Sequence, residues 1–347
     1  MRTVPGLNIG IDLGTESIKF FAQKKGIILS EQTAICYDNY SGKAVAIGNA
    51  AGEMLDRLPD SLTLKRPVEG GVVSDFTAMT EILSHFIKKV CKNRIFRPNL
   101  IISAPCCVTS LEKKTVIEAA CTAGAGRVHI TDEPIVSALG AGLSIEHPHG
   151  TMVIDIGAGT TDIAVITMGT VACSSSIKTA GNSFDEALGN YLKRDKDIVA
   201  GIPTIKKIKH SLGSAYKREE EIEALFSGKD YITSLPRPFL IKANDTVKIF
   251  KEPIDIIFTA ILDVMEQTPP ELYSDICNEG ILLTGGGAKL YGLDRELSER
   301  LGIKVTCAAD SENCAAKGAG YILKNMKKLE DNGYSFRSRE NMLMFAE

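Results

Sequence analysis

The sequence predicts an α/β fold made of two lobes that share one plan. Residues 11–15 read IDLGT, and residues 154–161 read IDIGAGTT, 143 residues further along the chain. Each motif is an apolar strand that carries one aspartate and ends in a Gly/Thr turn, and residues 281–288 (ILLTGGGA) run a third apolar strand into three glycines. Segments with strand and helix patterns alternate through both halves, so we expect α/β layers around a largely parallel central sheet.

The glycine turns predict a ligand as well as a fold. Glycine has no Cβ, so the backbone can approach a ligand closely and its N–H groups can converge on phosphate oxygens. Two facing turns would hold a polyphosphate from both sides, with Asp12 and Asp155 holding a hydrated Mg²⁺ between them. For either aspartate alone, a strand-end turn residue is the alternative. Their matching frames favour a nucleotide cleft between duplicated lobes.

The individual elements follow from spacing and turn signals. In the first half we predict strands at 7–13, 17–23, 27–36, 100–105 and 128–130, and helices at 78–91, at 111–123 and from Glu133 onward. In the second half we predict strands at 151–156, 162–167 and 170–177, and helices near 183–195 and 203–213. We place the first lobe (IA) at 1–145 plus 315–347, with an insert (IB) at about 32–75, and the second lobe (IIA) at 146–314, with an insert (IIB) at about 181–247.

A second repeat supports the duplication. Residues 138–142 read ALGAG, and residues 316–320 read AKGAG, each late in a helical segment. Small residues at this spacing let two helices cross closely, as a hinge between lobes requires; ordinary helix packing is the alternative.

Composition excludes several classes of protein. The 347 residues carry a net charge of −3, which leaves no excess positive charge for a general nucleic-acid binder. Nine scattered cysteines form no CxxC pair or zinc spacing, which fits a reducing cytosol. No apolar run approaches the ~18 residues of a membrane-spanning helix, and the N-terminus lacks a signal-peptide core. We expect a cytoplasmic protein whose membrane contact is peripheral.

The motifs resemble the five ordered signatures of the actin-like ATPase superfamily: two phosphate turns, two connector helices and a glycine triplet. Within it, the chain is most similar to the MreB family of bacterial rod-shape-determining actins, over essentially its whole length. Segments not needed for binding ATP also match that family: residues 66–67, 71–76, 184–187, 208–210, 213–216 and 269–272. The resemblance implies two duplicated ribonuclease-H-like lobes around a nucleotide cleft, each with a small inserted subdomain.

The resemblance also implies roles for individual residues. Glu133 matches the family's water-orienting glutamate, and its acid also suits the first turn of a helix; Asp12 and Asp155 would complete the catalytic group and hold Mg²⁺, through water. The implied contacts to ATP or ADP are Gly14, Thr15, Glu16, Ser17, Lys19, Gly157, Ala158, Gly159, Thr160, Thr161, Gly181, Lys206, Lys207, Ile208, Lys209, Gly285, Gly286, Gly287 and Ala288.

Some positions depart from the family pattern. Ala158 stands where a glycine is usual, Lys206 where a ribose-contacting glutamate is general, and Asn182 where an aspartate is usual. Lys19 is not typical of the family, and both a phosphate ligand and an exposed strand lysine remain open for it. Together with residues 311–313 (SEN), which replace the usual Pro-Leu-Thr, these departures predict a divergent member, with altered turnover as one consequence.

A basic stretch matches the family's membrane-inserting loop. Residues 88–97 (KKVCKNRIFR) hold five basic residues, no acid and the apolar pair Ile95-Phe96. Each cation near an anionic surface contributes about 1 kcal/mol, and the apolar pair adds burial. The alternative is a basic helix C-terminus with Ile95 and Phe96 folded inward.

The function implied is that of an ATP-binding cytoskeletal protein. It would assemble into filaments on the anionic inner face of the membrane, hydrolyse ATP slowly, and organise cell-wall synthesis with elongation proteins to maintain rod shape. A non-polymerising actin-like adaptor, similar to PilM or FtsA, is the alternative. A sugar kinase is disfavoured because the small inserts leave little room for a substrate lobe.

Overall fold

The computed structural model describes residues 7–22, 24–92, 96–331, 334 and 336–338. The strands are β1 (Asn8–Leu13), β2 (Ser17–Ala22), β3 (Gly26–Gln32), β4 (Ile35–Asp38), β5 (Ala44–Ile47), β6 (Leu62–Lys65), β7 (Val68–Glu69), β8 (Val72–Val73), β9 (Asn99–Ala104), β10 (Arg127–Asp132), β11 (Thr151–Ile156), β12 (Thr161–Thr167), β13 (Thr170–Ile177), β14 (Ile198–Val199), β15 (Glu223–Asp230), β16 (Pro236–Lys242), β17 (Ile281–Thr284), β18 (Val305–Cys307) and β19 (Arg337–Ser338). The helices are α1 (Asn49–Gly52), α2 (Phe76–Cys91), α3 (Ser110–Thr122), α4 (Glu133–Gly140), α5 (Gly181–Lys196), α6 (Ile202–Leu212), α7 (Ala243–Ile249), α8 (Lys251–Gln267), α9 (Pro270–Glu279), α10 (Leu293–Leu301) and α11 (Cys314–Asp331), with 3₁₀ turns at Gly287–Lys289 and Ser311–Asn313.

Two large sheets have the same strand order. The first runs β3-β2-β1-β9-β10, with β19 added at the β10 edge, and the second runs β13-β12-β11-β17-β18. In each sheet the first three strands form an antiparallel meander, and two parallel strands follow on the other side. This repeated topology is the duplication that the motifs predict.

The prediction of a largely parallel sheet is wrong, because both sheets are mixed. Only three residues separate β1 from β2, and four separate β11 from β12. A parallel connection needs a crossover of a dozen or more residues, so these short Gly/Thr turns permit only antiparallel hairpins.

The predicted strand at 27–36 is two strands in different sheets. Between β3 and β4, Thr33 bonds back to the first glycine turn: its N–H donates to the Glu16 carbonyl at 2.9 Å, and its Oγ1 donates to the Gly14 carbonyl at 2.9 Å. From there the chain enters a small sheet of order β5-β4-β6 and the β7/β8 hairpin. A second small sheet, β14-β15-β16, falls within residues 198–242.

Two helices lie between the large sheets. Helix α4 packs on β11 of the second sheet, α11 packs on β1 of the first, and the two helices contact each other along their length. They share an apolar cluster with Ile101 and Val153, one from each sheet. No helix in the described ranges is both long and apolar enough to cross a bilayer.

The small residues of the ALGAG and AKGAG repeats lie where α4 and α11 cross. A Cβ on Gly318 would lie 1.7 Å from the Val136 carbonyl oxygen, and one on Gly140 would lie 1.8 Å from the Cys314 carbonyl oxygen. The predicted close crossing of these helices is therefore present, at backbone-to-backbone distance.

We expect Gly318→Ala to destabilise the fold. Alanine in a helix interior gains about 1 kcal/mol over glycine, but the added methyl would overlap backbone that has to move, which costs about 1–3 kcal/mol or more. Urea unfolding should show the loss, and Gly286→Ala, where a Cβ meets nothing within 4 Å, is the matched control. A stability of Gly318→Ala equal to or above that of the parent would contradict the close crossing.

Candidate functional site

The two glycine turns have the same internal bond and face each other. Gly14 N–H donates to the Ser17 carbonyl at 3.0 Å, and Gly157 N–H donates to the Thr160 carbonyl at 2.9 Å, again 143 residues apart. A Cβ built on Gly159 would lie 2.4 Å from Oγ1 of Thr15. The tips of the turns are therefore in contact across the gap between the two large sheets.

Each turn is preceded by an aspartate in the same frame. Asp12 and Asp155 are both buried, and their cross-strand partners are Lys19 and Asp162, seven residues on in each case. Lys19 Nζ lies 3.9 Å from Asp12 Oδ2 and donates to the Glu312 carbonyl. Lys19 is thus an inward-facing cation near the first turn, and not an exposed strand lysine.

Hydroxyl groups fix the orientation of Asp155. Its Oδ2 accepts hydrogen bonds from Ser137 Oγ at 2.5 Å and from Thr284 Oγ1 at 2.9 Å. These donors come from α4 and from the end of β17, so three elements meet at this carboxylate. Thr161 is also buried, but its hydroxyl donates to the Thr179 carbonyl at 2.7 Å. This bond ties the start of β12 to the segment between β13 and α5.

Four acidic side chains share the gap. Burial raises the pKa of Asp12 to about 6, with Lys19 opposing the shift and the charge of Asp155 adding to it. Burial and then the charge of Asp155 raise the pKa of Asp162 to about 7. Burial also raises the pKa of Asp155, against its bonds to Ser137 and Thr284. Burial, followed by the charges of Asp155, Asp162 and Asp12, holds the pKa of Glu133 well above its ordinary value.

This donor set fits a hydrated divalent cation. Mg²⁺ prefers oxygen ligands, keeps several waters, and is held by one or two carboxylates plus phosphate. The crowded carboxylates repel one another, and a cation relieves that repulsion. Among the described residues, no three His, Cys, Asp or Glu side chains converge as direct ligands. The role of Asp12 and Asp155 as Mg²⁺ holders through water stays a prediction.

Glu133 is placed by the start of its helix. It is the first residue of α4, and Pro134 follows it. The preceding Asp132 accepts from Nζ of Lys113 at 2.7 Å, and Lys113 is only 1% exposed. A partly buried ion pair therefore anchors the backbone next to Glu133.

A cavity of about 450 Å³ extends from the second glycine turn. Its walls come from the two turns, α5, α6 and the loop after it, the glycine triplet and the segment that follows it, and the 3₁₀ turn at Ser311–Asn313. The lining residues are Glu16, Gly157, Ala158, Gly181, Phe184, Lys209, His210, Gly213, Arg218, Gly286, Gly287, Lys289, Leu290, Tyr291 and Glu312. Its volume lies in the range of small-molecule sites.

The glycine triplet approaches strand β11 closely. Gly285 has φ +84°, and a Cβ there would lie 2.3 Å from the Ile156 carbonyl oxygen and 2.6 Å from Oδ1 of Asp155. Only glycine fits this position without strain. Gly286 faces open space, and Ala288 is buried behind it.

The three lysines of helix α6 have different partners and different exposure. Lys206 pairs with Glu16. Burial alone would raise the pKa of Glu16, but the positive charges of Lys206, Arg66 and Lys209 outweigh it and lower that pKa. Lys209 Nζ donates to the Gly181 carbonyl and to Asp185 Oδ2, both at 2.8 Å. Lys207 is exposed and Ile208 is buried in the core; neither lines the cavity.

The basic stretch at 88–97 is only partly described. Residues 93–95, including Ile95, lie outside the described residues. Phe96 is 53% exposed, and Lys89 pairs with Glu31 at 2.7 Å.

Sequence reasoning missed Asp162, Ser137 and Thr284. A signal for Asp162 was present: it follows Asp155 by seven residues, as Lys19 follows Asp12. In both hairpins the aspartate pairs directly with the residue seven positions further on, so the two side chains lie on the same face of the sheet. Ser137 and Thr284 carried no such signal, since their roles depend on how helices and sheets pack.

Two sheets of one strand order, facing glycine turns and a shared acidic gap define the actin-like ATPase fold. The structure matches MreB 5 of Spiroplasma citri bound to AMPPNP with a TM-score of 0.90, at 31% identity, over 95% of this chain and 100% of that chain. The family model described as MreB/Mbl protein matches residues 6–331. The chain belongs to the MreB/Mbl family.

Two curated relatives are similar over nearly their whole length. The cell shape-determining protein Mbl of Bacillus subtilis (strain 168) is 40% identical over 323 residues, which is 93% of this chain and 97% of that protein. The cell shape-determining protein MreB of Escherichia coli (strain K12) is 40% identical over 323 residues, 91% and 93% respectively.

Proposed function

We propose that the chain binds ATP with Mg²⁺ in the cleft between the two large sheets and assembles into filaments that set cell shape. The observation that carries this proposal is the contact of Gly159 with Thr15, which brings two phosphate-type turns face to face above Asp12 and Asp155. The AMPPNP bound to MreB 5 of Spiroplasma citri, which matches this fold with a TM-score of 0.90, supports a nucleotide as the ligand.

Each part of the site has a task in this proposal. The two glycine turns, residues 14–17 and 157–161, cradle the phosphates with the backbone N–H groups that are not bonded within the turns, and Lys19 adds positive charge beside them. Asp12 and Asp155 would hold Mg²⁺ through its water shell, and the ion would supply positive charge against the charge that develops on the phosphates. Glu133 orients the attacking water and accepts its proton. Hydrolysis proceeds slowly, so older parts of a filament contain ADP and newer parts contain ATP.

The inserted sheets close over the ligand in the same proposal. We assign residues 1–145 plus 315–347 to the first lobe, with its insert at about 32–75, and residues 146–314 to the second, with its insert at about 181–247. The inserts meet where Oδ2 of Asp56 accepts a hydrogen bond from Ile202 N–H at 2.9 Å, at the first turn of α6. Lys206 and Glu16 form a second contact between the lobes. Both contacts favour a closed cleft.

The assembly and its location complete the proposal. Filaments of this chain lie on the cytoplasmic face of the anionic membrane and organise cell-wall elongation proteins, without contacting nucleic acid. The names of the Bacillus subtilis and Escherichia coli relatives as cell shape-determining proteins support this role. One basic loop binds a membrane weakly, and a filament that presents many copies binds far more strongly.

Sedimentation tests this function. The purified chain is mixed with ATP and Mg²⁺, with and without vesicles of phosphatidylglycerol and phosphatidylcholine, and then centrifuged. A pellet that requires ATP and Mg²⁺ is the expected result. If the chain bound nucleotide but formed no pellet under any condition, the result would contradict filament assembly and favour the non-polymerising adaptor.

We expect replacement of Ile95 and Phe96 by serine to reduce vesicle binding and leave assembly in solution intact. The exposed Phe96 would lose apolar burial in the membrane, while the basic residues retain their attraction of about 1 kcal/mol each. Co-sedimentation with phosphatidylglycerol vesicles measures the loss, and Tyr40→Ser, at a residue 90% exposed in the first insert, is the control. Unchanged vesicle binding would refute the loop as the membrane contact.

A further inference from the structure

A short C-terminal segment, residues 334 and 336–338, covers the outer edge of the first large sheet. Its strand β19 pairs antiparallel with β10, with Arg337 opposite Ile130 and Ser338 opposite His129. The edge of a sheet presents unpaired backbone N–H and C=O groups, with which a further strand can pair. A pairing of only two residues offers few backbone bonds, so side chains have to supply most of the attachment. The segment lies beyond residue 331, where the match to the family model ends.

Two aromatic side chains anchor the C-terminal segment. Tyr334 is 9% exposed and Phe336 is 5% exposed, and their rings meet edge to face with centroids 4.6 Å apart. Both belong to the apolar cluster that joins residues of α4 and α11 to Val153 of the second large sheet. The hydroxyl of Tyr334 bonds to that of Thr131 in β10, and its backbone N–H donates to the Leu329 carbonyl of α11 at 2.9 Å. The anchors therefore attach the segment both to the first sheet and to a helix between the sheets.

Tyr334 also reaches the second large sheet. A Cβ built on Gly169, in the turn between β12 and β13, would lie 4.0 Å from Cδ2 of the Tyr334 ring, so the ring lies beside this turn. The same turn bonds to the link between α4 and β11, residues 141–150. Gly169 N–H donates to the Ile145 carbonyl at 2.7 Å, and Met168 N–H donates to the His147 carbonyl at 3.1 Å. One aromatic side chain therefore lies against parts of both large sheets, next to the link that joins them.

A side chain in this position opposes relative movement of the two sheets. Two lobes open and close by rotation about the few residues that join them, and a ring packed against both lobes at that point loses contacts when they rotate apart. We propose that the C-terminal segment is a strap that joins the two lobes at the hinge and slows opening of the cleft. The inference rests on the proposed nucleotide site only for the effect on ligand release. Because the strap is held by two rings and a short strand, it can detach without unfolding of the lobes.

Hydrogen–deuterium exchange of the whole chain without nucleotide tests the strap. In Tyr334→Ser/Phe336→Ser, exchange should rise in β10, whose edge is uncovered, and at residues 168–169, whose amides bond to the link. The rise should be about tenfold or more, because the lost burial of one aromatic ring corresponds to at least a factor of ten in an equilibrium constant. Tyr40→Ser, at a residue 90% exposed, is the control and should exchange like the parent.

A milder variant covers the case in which the double variant does not fold. Tyr334→Phe keeps the ring and loses only the hydroxyl bond to Thr131. The same two places should exchange faster than in the parent, by a smaller factor than in the double variant. Faster exchange in β10 alone, with residues 168–169 unchanged, would show that the segment covers the sheet edge without joining the lobes, and would overturn the inference.

Release of a fluorescent ADP analogue measures the effect on the cleft. We expect the double variant to release the analogue several-fold faster than the parent, with Tyr334→Phe between the two and Tyr40→Ser equal to the parent. A release rate equal to that of the parent in both strap variants would overturn the inference while leaving the nucleotide site standing. A parent that binds no ADP would instead contradict the proposed function, and exchange at residues 168–169 would still decide whether the strap joins the lobes.

Discussion

Replacing Glu133 with glutamine is expected to slow phosphate release from ATP by about 10²–10⁴-fold, the usual contribution of a general base. Nucleotide affinity should stay nearly unchanged, because Glu133 does not line the 450 Å³ cavity and faces the acidic gap. Glutamine keeps the size and polarity of the side chain but cannot accept the proton. Phosphate release and nucleotide titration, measured on the same samples, separate the two effects.

The pH dependence of hydrolysis gives a second readout. Burial and three neighbouring aspartates raise the pKa of Glu133, so a rising fraction of the base is ionised as pH increases. The hydrolysis rate of the parent should therefore increase with pH, and the residual rate of Glu133→Gln should not follow the same curve. Glu279→Gln, an exposed site on α9, controls for the loss of a charge. If Glu133→Gln lost nucleotide binding and hydrolysis equally, the result would contradict a catalytic role for Glu133.

Asp12→Asn is expected to stabilise the nucleotide-free chain while strongly weakening its stabilisation by Mg–ADP. In the fold the pKa of Asp12 is about 6, against an ordinary value of 3.8. A raised pKa means that the ionised form destabilises the fold: the penalty is absent below about pH 4, grows through the window from 4 to 6, and is complete above it. Two pKa units correspond to a free energy on the order of 3 kcal/mol.

Thermal unfolding without nucleotide or metal measures this gain. The melting temperature of Asp12→Asn should exceed that of the parent at pH 8, and the difference should shrink as pH falls toward 4. Mg–ADP should raise the melting temperature of the parent at pH 8 and raise that of Asp12→Asn much less. Asp263→Asn, at an exposed position on α8, should behave like the parent. A lower melting temperature for Asp12→Asn at pH 8 would show that the carboxylate stabilises the empty cleft.

Much of this architecture follows from a repeat that is visible in the sequence. The IDLGT and IDIGAGTT motifs predict two hairpins of one plan, and the spacing of 143 residues carries through to the bonds within both turns. The repeat of small residues predicts the crossing of α4 and α11. Local patterns are sufficient here because each motif encodes its own turn.

The remainder depends on packing between distant segments. Strand β3 ends at Gln32 because Thr33 bonds to the first glycine turn, a contact that hydrophobic periodicity does not encode. The pairing of Lys206 with Glu16 joins residues 190 positions apart, and the stack of Arg218 on Tyr291 joins a loop to the segment after the glycine triplet. Such contacts were beyond single-sequence reasoning, although they shape the proposed site.

A crystal structure of this chain with Mg²⁺ and a non-hydrolysable triphosphate analogue would show whether the two lobes share one metal and one ligand. We expect a metal between Asp12 and Asp155, with waters about 2.1 Å from the ion bridging to both carboxylates, and phosphates touching both glycine turns. A triphosphate bound to one turn alone, or a metal held outside the gap between these two aspartates, would contradict the proposed cleft.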